Sequence, residues 1–187
     1  MRRIYLDYAA GAPVDLEVRK AMGEFSNANY GNASGIYQEG REAKKALEGA
    51  RSQIAKTLGV KSHEIIFTSG GTEANNLAIF GALSKSDFNS THEVGLRKSR
   101  GHIITSAFEH RSVLEPIREL ERKGFEVAYL KVSKDGFVNP EDIRQALRPD
   151  TVLVSIMYVN NEIGTIQSIS KIGKIIKNFR KDIIFHS

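Results

Sequence analysis

The sequence predicts an α/β protein with a mainly parallel sheet, because short apolar β-type runs alternate with longer segments of helical periodicity. A second observation is size: 187 residues, 41% of them apolar, suffice for about one domain with a buried core. A third is the presence of helix start and stop signals, since capping residues precede several of the helical segments and glycine follows the longest one. Ligands of such sheets bind at the carboxyl ends of the strands.

Two helices are predicted in the first part of the chain. Residues 15–25 form the first, and its candidate buried stripe consists of Leu16, Ala21, Met22 and Phe25. After a loop rich in glycine, asparagine and serine at 26–35, residues 38–58 predict a long amphipathic helix with small and apolar residues at three- and four-residue steps. Gly59 is its expected stop.

From residue 64 onward, strands and helices alternate. Strands are predicted at 64–69, 102–106, 125–132, 152–157 and 183–185. Helices are predicted at 72–83, 112–123, 139–147 and 170–180. The polar segment 84–100 has no periodicity and is expected to be a surface loop.

The segment Thr68-Ser69-Gly70-Gly71-Thr72 lies between the first of these strands and a helix. A helix that starts there directs unpaired backbone N–H groups and the positive end of its dipole at one point. A phosphate at that point meets those amides and the hydroxyls of Ser69 and Thr72, so the segment is a candidate phosphate cup. Taken on its own, the segment is explained equally well as a purely structural turn between a strand and a helix. The spacing matches neither a dinucleotide-binding turn nor a P-loop.

Composition excludes several other classes. The net charge of +5 is spread over interleaved acidic and basic residues, which is typical of solvated helix faces and disfavours nucleic-acid binding. Apolar runs are too short for a membrane span. The chain has no cysteine, which excludes disulfides and thiolate ligands and is compatible with a cytoplasmic setting.

Polar groups follow three other predicted strands. Glu109 and His110 come after the strand at 102–106, Asn160 and Asn161 after the strand at 152–157, and His186 ends the last strand. Histidine at a strand end is usually a cap, and paired asparagines usually form a turn. Their expected convergence with the cup on one edge of the sheet favours a binding site.

These residues carry a resemblance to a known family. The chain resembles cysteine desulfurases of the NifS/IscS type, within the class-V aminotransferases that use pyridoxal 5'-phosphate. The similarity runs from Ile4 to the end and rests on the segments 5–15, 31–34, 65–78, 109–110, 120–127 and 159–165. It implies the large domain of a fold-type-I enzyme, with residues 1–14 as an N-terminal arm and 15–187 as the first part of that domain.

The resemblance also implies roles for single residues. Gly71 and Thr72 match the positions that hold the cofactor phosphate. His110 matches the imidazole that stacks on the pyridine ring and moves protons, and Asn161 matches the amide that binds the phenolic oxygen near the substrate carboxylate. Imidazole and carboxamide groups are chemically suited to these tasks.

The family's covalent chemistry needs a lysine for the cofactor and a cysteine that accepts sulfur, and neither family segment occurs in these 187 residues. The chain therefore resembles the N-terminal half of the enzyme and is expected to be inactive alone, either as a truncated product or as one subunit of a split enzyme. L-cysteine as substrate, a companion segment with the lysine and cysteine, a homodimer and an iron–sulfur scaffold partner are implied. A selenocysteine lyase, another class-V aminotransferase and a non-catalytic fragment remain alternatives.

Overall fold

The computed structural model describes residues 3–27, 30–83 and 100–187, which form two compact units divided between Phe67 and Thr68. The helices are α1 (Leu16–Asn27), α2 (Gln38–Leu58), α3 (Gly71–Leu83), α4 (Arg111–Arg122), α5 (Pro140–Ala146) and α6 (Ile169–Phe179). The strands are β1 (His102–Ser106), β2 (Glu126–Leu130), β3 (Thr151–Ser155) and β4 (Ile184–His186). Apart from Arg100, the loop expected at 84–100 lies outside the described residues.

The second unit is built on a four-stranded parallel sheet. Its strand order is β2-β1-β3-β4, and every adjacent pair of strands is parallel. Ile104 of β1 lies opposite Ala128 of β2 on one side and Val154 of β3 on the other. The predicted α/β class with a mainly parallel sheet is confirmed. Within the described ranges, no helix is both long enough and apolar enough to cross a membrane.

Each face of the sheet has its own hydrophobic core. Consecutive strand residues point to opposite faces, so Ile103 and Ile104 of β1 enter different cores. On one face α3 and α4 cover the core that contains Ile103, Ile117 and Leu153. On the other, α5 and α6 cover the core that contains Ile104, Ile143 and Ile176. The result is a three-layer sandwich whose strands all end at the same edge.

Helix α2 of the first unit begins and ends at the predicted residues. Its stop is Gly59, which has the left-handed backbone conformation (φ 69°) that glycine adopts without strain. The N–H groups of Gly59 and Val60 donate to the carbonyls of Lys56 and Ala55, at 3.3 and 2.9 Å, so the last turn of the helix is closed in the usual way.

The stripe predicted to be buried on α1 is exposed. Leu16, Met22 and Phe25 are 61%, 59% and 46% accessible, and Ala21 is exposed as well. Among the described residues of the first unit, only Gly40 and Ala55 are buried. Helical periodicity predicts an apolar face, but a face is buried only when another element packs on it, and the expectation of burial was wrong for this reason.

The strand predicted at 64–69 is also absent. Ser62–Glu64 forms a single 3₁₀ turn, and residues 65–69 pair with no strand among the described residues. Ile65 instead accepts a hydrogen bond of 2.5 Å from Nη1 of Arg51 in α2, and the Arg51 guanidinium lies 4.8 Å from the centre of the Phe67 ring. A β-type run becomes a strand only beside a partner with free backbone groups, which this run lacks here.

The amino ends of β1, β2 and β3 meet in a polar cluster around the buried His102. Its Nδ1 lies 2.9 Å from Oγ1 of Thr151, which also accepts the N–H of Arg148 at 2.9 Å. The guanidinium of Arg148 in turn pairs with Asp150 and Glu126. Burial, followed by the positive charge of Arg148, lowers the pKa of His102 below its usual value.

We expect the second unit to lose stability in mild acid because of this histidine. Unfolded His102 takes up a proton near its ordinary pKa of about 6.5, whereas the folded side chain takes it up only at lower pH. Its contribution is therefore complete above about pH 6.5 and is lost as the pH falls below that value. Urea midpoints from pH 7.5 to pH 5 should fall less steeply in His102→Asn than in the wild type. His63→Asn, the same change at an exposed position, is the control, and equal slopes in all three proteins would contradict the expectation.

Candidate functional site

The predicted phosphate cup is the first turn of α3. The first bond of this helix runs from the N–H of Ala74 to the carbonyl of Gly70, at 3.0 Å. The N–H groups of Gly71, Thr72 and Glu73 therefore have no acceptor among the described residues, and neither has the hydroxyl of Thr72. Three adjacent donors at a helix N-terminus are the arrangement that binds an anion.

The backbone conformation does not require glycine at either position of the cup. Gly70 and Gly71 do not have positive φ angles. A Cβ atom added to either would meet nothing within 4 Å. Neither a positive φ angle nor crowding of a side chain therefore explains glycine at these two positions, and the space beside both residues is open. This observation favours a phosphate cup over a purely structural turn.

Ser69 does not have the role that the sequence suggested. Its hydroxyl and its N–H both donate to Oε2 of Glu73, each at 2.6 Å. These two bonds, the hydroxyl first, lower the pKa of the Glu73 carboxyl. The expectation that the Ser69 hydroxyl meets a phosphate was therefore wrong, because its only proton is used by the side chain that closes the turn.

His110 is the N-cap of α4, and its side chain lines three neighbouring clefts. Thr72 and His110 share the first, of about 490 Å³, which runs between α3 and α4. His110 and Asn161 share the second, of about 430 Å³. The third, of about 330 Å³, is bordered by His110, Met157 and His186, from the segments that follow β1 and β3 and from the end of β4. The ends of three strands thus converge as predicted.

The two adjacent asparagines do different things. Asn160 is buried, and its Oδ1 accepts the N–H groups of Glu162 and Ile163 at 2.9 and 3.0 Å. It thereby fixes the turn that Gly164 closes with a φ of 73°. Asn161 is exposed and has no side-chain hydrogen bond among the described residues. Its amide is the one available to a ligand, whereas Asn160 holds the loop.

Glu109 is a buried carboxylate that the sequence did not assign a role. It accepts the hydroxyl of Ser106 at 2.6 Å and the N–H of Met157 at 2.9 and 3.1 Å, and so ties the end of β1 to the segment that follows β3. Burial raises the pKa of Glu109, and the two donors oppose that rise. Its position next to His110 makes it the anchor of the central residue of the site.

His186 adds to the polar lining of the third cleft and contacts the buried Ser155 behind it. Nδ1 of His186 lies 2.9 Å from Oγ of Ser155, and burial lowers the pKa of this histidine. Asn75 of α3 borders the same cleft. The contacts of Asn75, Glu109 and Ser155 depend on strand register and helix packing, so no pattern within the sequence could have identified them. Within the described ranges, no group of three or more metal-ligating side chains occurs.

Comparison with known families identifies the architecture. The family model described as "Aminotransferase class-V" matches residues 4–187. The chain belongs to the class-V aminotransferase family. The resemblance stated from the sequence is thereby confirmed, and so is the fold expected from it. The roles of the four predicted site residues, Gly71, Thr72, His110 and Asn161, remain predictions.

Curated relatives in this family carry the name cysteine desulfurase IscS. The protein of that name from Dictyoglomus turgidum is 50% identical over 186 residues, which are 100% of this chain and 44% of the relative. The one from Pasteurella multocida is 47% identical over 187 residues, covering 98% of this chain and 43% of the relative. The chain therefore spans less than half the length of the relatives it matches.

Solved structures of the family have the same fold. One described as "NIFS-LIKE PROTEIN" superposes with a TM-score of 0.86 at 36% identity, over 99% of this chain and 48% of its own. Another, "SspA in complex with cysteine", has a TM-score of 0.85 at 40% identity, over 97% of this chain and 49% of its own. The arrangement of strands and helices described above is thus shared with these two structures.

Proposed function

We propose that this chain supplies the phosphate-binding and ring-binding side of a pyridoxal 5'-phosphate site in a cysteine desulfurase. The reaction is the conversion of L-cysteine to L-alanine, with the sulfur passed to the enzyme for iron–sulfur cluster or thio-cofactor synthesis. One observation carries the proposal: His110 shares one cleft with Thr72 of the cup and a second with Asn161. The names of the relatives and of the cysteine complex support the choice of substrate.

The residues present suit this cofactor. The free N–H groups of Gly71 and Thr72 and the Thr72 hydroxyl are donors for a phosphate, and the open space at the glycines admits it. The imidazole of His110 offers a flat aromatic face. The unpaired amide of Asn161 can donate to a ring oxygen without adding charge. When bound, pyridoxal phosphate supplies an electron sink for the amino-acid substrate.

The remaining chemistry requires residues from elsewhere. His110 lines three clefts, and among the described residues none of these clefts is lined by a lysine or a cysteine. We propose that a companion segment provides both, that the assembled enzyme is a cytoplasmic homodimer, and that an iron–sulfur scaffold protein receives the sulfur. Residues 1–14 serve as an arm and residues 15–187 as the first part of the large domain.

Binding of pyridoxamine 5'-phosphate tests the cup directly, because this form of the cofactor has no aldehyde to react with surface lysines. We expect the 187-residue chain to bind this ligand saturably. The ³¹P resonance of the ligand, recorded during a titration, measures the binding. We expect Thr72→Val to weaken binding by roughly 10- to 100-fold, the effect of one hydrogen bond to a charged group. Asn161→Ala should also weaken it. Thr57→Val on α2 is the matched control. Binding unaffected by Thr72→Val, or no binding at all, would contradict the cup.

The reaction is tested in a complex of this chain with a companion segment that carries the lysine and the cysteine. Alanine formed from L-cysteine is the expected product. Turnover of L-selenocysteine alone would indicate a selenocysteine lyase, and amino-group transfer to a keto acid would indicate another class-V aminotransferase. Cofactor binding without turnover in the complex would favour a non-catalytic chain.

A further inference from the structure

The two ring nitrogens of His110 have different surroundings. Nδ1 accepts the N–H of Ser112 at 3.1 Å and lies 2.7 Å from the Ser112 hydroxyl. Nε2 has no hydrogen bond among the described residues, and the side chain lines the three clefts of the site. One nitrogen is therefore used by the protein, and the other is available to a ligand.

The contacts of Nδ1 determine where the proton of the neutral ring lies. A backbone N–H can only donate, so the Nδ1 atom that accepts it carries no proton. The proton of the neutral ring is then on Nε2. The Ser112 hydroxyl, 2.7 Å from the same nitrogen, must likewise donate to it.

Asn75 fixes the direction of that hydroxyl. Its amide Nδ2 donates to Oγ of Ser112 at 2.7 Å, so the oxygen is an acceptor on that side and its own proton is left for Nδ1. Ser112 is buried and Asn75 is partly buried, which limits competition from water. Donation runs in one direction, from Asn75 through Ser112 to His110.

This chain of bonds links the two helices of the site. Asn75 lies one turn into α3, the helix whose first residues form the phosphate cup, and Ser112 lies in the first turn of α4. The helices pack together over the core that contains Ile79, Val113 and Ile117. The ring of His110 is thus oriented by the same helix that presents the cup.

We propose that Asn75 and Ser112 are positioning residues that hold neutral His110 in the Nε2–H tautomer, so that the ring presents a hydrogen-bond donor to the ligand. A neutral ring held in this way donates a hydrogen bond from Nε2. The tautomer is a property of this chain alone, whereas its importance for the reaction rests on the proposed function. His110 then binds an acceptor atom of the ligand.

The tautomer is measured by long-range ¹H–¹⁵N correlation of the histidine rings in the ¹⁵N-labelled 187-residue chain, with His110→Gln for assignment. Exposed His63 serves as the reference in the same spectrum, because its ring has no hydrogen bond in the part of the chain that is described. We expect the Nε2–H fraction of His110 to exceed that of His63. A wild-type ratio equal to that of His63, or a predominant Nδ1–H form, would overturn the proposal even if no variant folds.

The variants separate the two residues. We expect Ser112→Ala, which removes the hydroxyl but keeps the backbone N–H on Nδ1, to raise the Nδ1–H fraction of His110, and Asn75→Ala to raise it less. Ser112→Thr keeps the hydroxyl and should keep the wild-type ratio. Ser170→Ala and Asn178→Ala on α6 are the matched controls on the other face of the sheet. An unchanged ratio in Ser112→Ala refutes the role of the Ser112 hydroxyl and with it that of Asn75, which acts through the hydroxyl. An unchanged ratio in Asn75→Ala alone refutes the role of Asn75.

The tautomer and the proposed function can fail separately. A chain that binds no pyridoxamine 5'-phosphate but shows the Nε2–H form would refute the function and leave the positioning role in place. A chain that binds the ligand but in which His110 shows the tautomer ratio of His63 would refute the positioning role and leave the proposed function in place. The ring spectrum is recorded without ligand, so neither result depends on activity.

Discussion

Replacement of Glu109 by leucine is expected to destabilise the parallel-sheet unit by about 2–5 kcal/mol, the effect of two buried donors left without an acceptor. The donors are the hydroxyl of Ser106 and the N–H of Met157, which the carboxylate now holds together. Leucine fills a similar volume, so the loss comes from the missing hydrogen bonds rather than from a cavity. Urea unfolding followed by circular dichroism measures the change in free energy of unfolding.

Glu109→Gln is the matched control, because its amide oxygen can still accept both donors. We expect it to retain most of the stability that Glu109→Leu loses. The control also tests charge: since burial raises the pKa of Glu109, the wild type loses stability as the pH rises through the folded-state pKa of this group. The glutamine variant lacks that dependence, because its amide does not titrate. A leucine variant as stable as the glutamine variant would refute the anchoring role of the carboxylate.

Truncation of Ile103 to alanine is expected to cost about 2–5 kcal/mol, the usual range for removal of a fully buried isoleucine side chain. Ile103 has no exposed surface and lies in the central strand β1, beneath α3 and α4. Its loss leaves a cavity directly under the two helices that carry the cup and His110. The free energy of unfolding in urea is again the measurement.

Ile184→Ala makes the same change at a position in β4 that is 39% exposed. We expect a loss well below that of Ile103→Ala, because less apolar surface leaves water on folding at this position. Equal losses at the two positions would mean that the core between the sheet and α3/α4 is not closely packed.

The second unit of the fold was largely predictable from local patterns. Every strand from β1 to β4 and every helix from α3 to α6 was predicted to within about two residues at each end. These elements bury their own apolar faces against one another, so local periodicity and tertiary packing agree. The strand expected at 64–69 and the buried stripe of α1 were wrong for the opposite reason, because each depends on a packing partner outside its own segment.

The site was predictable in outline and not in detail. Position at the ends of strands indicated which segments meet, and the structure brings Thr72, His110 and Asn161 to two clefts that have His110 in common. The sequence could not show that Ser69 is used by Glu73, nor that Ser112 and Asn75 orient the imidazole. Those contacts depend on how the backbone turns and on how the helices pack, and a single sequence carries no sign of which side chains face each other.

The unequal use of the neighbouring amides at 160 and 161 has a consequence for how this turn can change. Mutation at 160 damages the loop itself, since two main-chain groups depend on that side chain. Mutation at 161 changes an exposed side chain that lines the second cleft and holds no other described residue. Ligand preference can therefore change by substitution of residue 161 alone, while residue 160 keeps the conformation of the loop. Position 161 is thus suited to a saturation library.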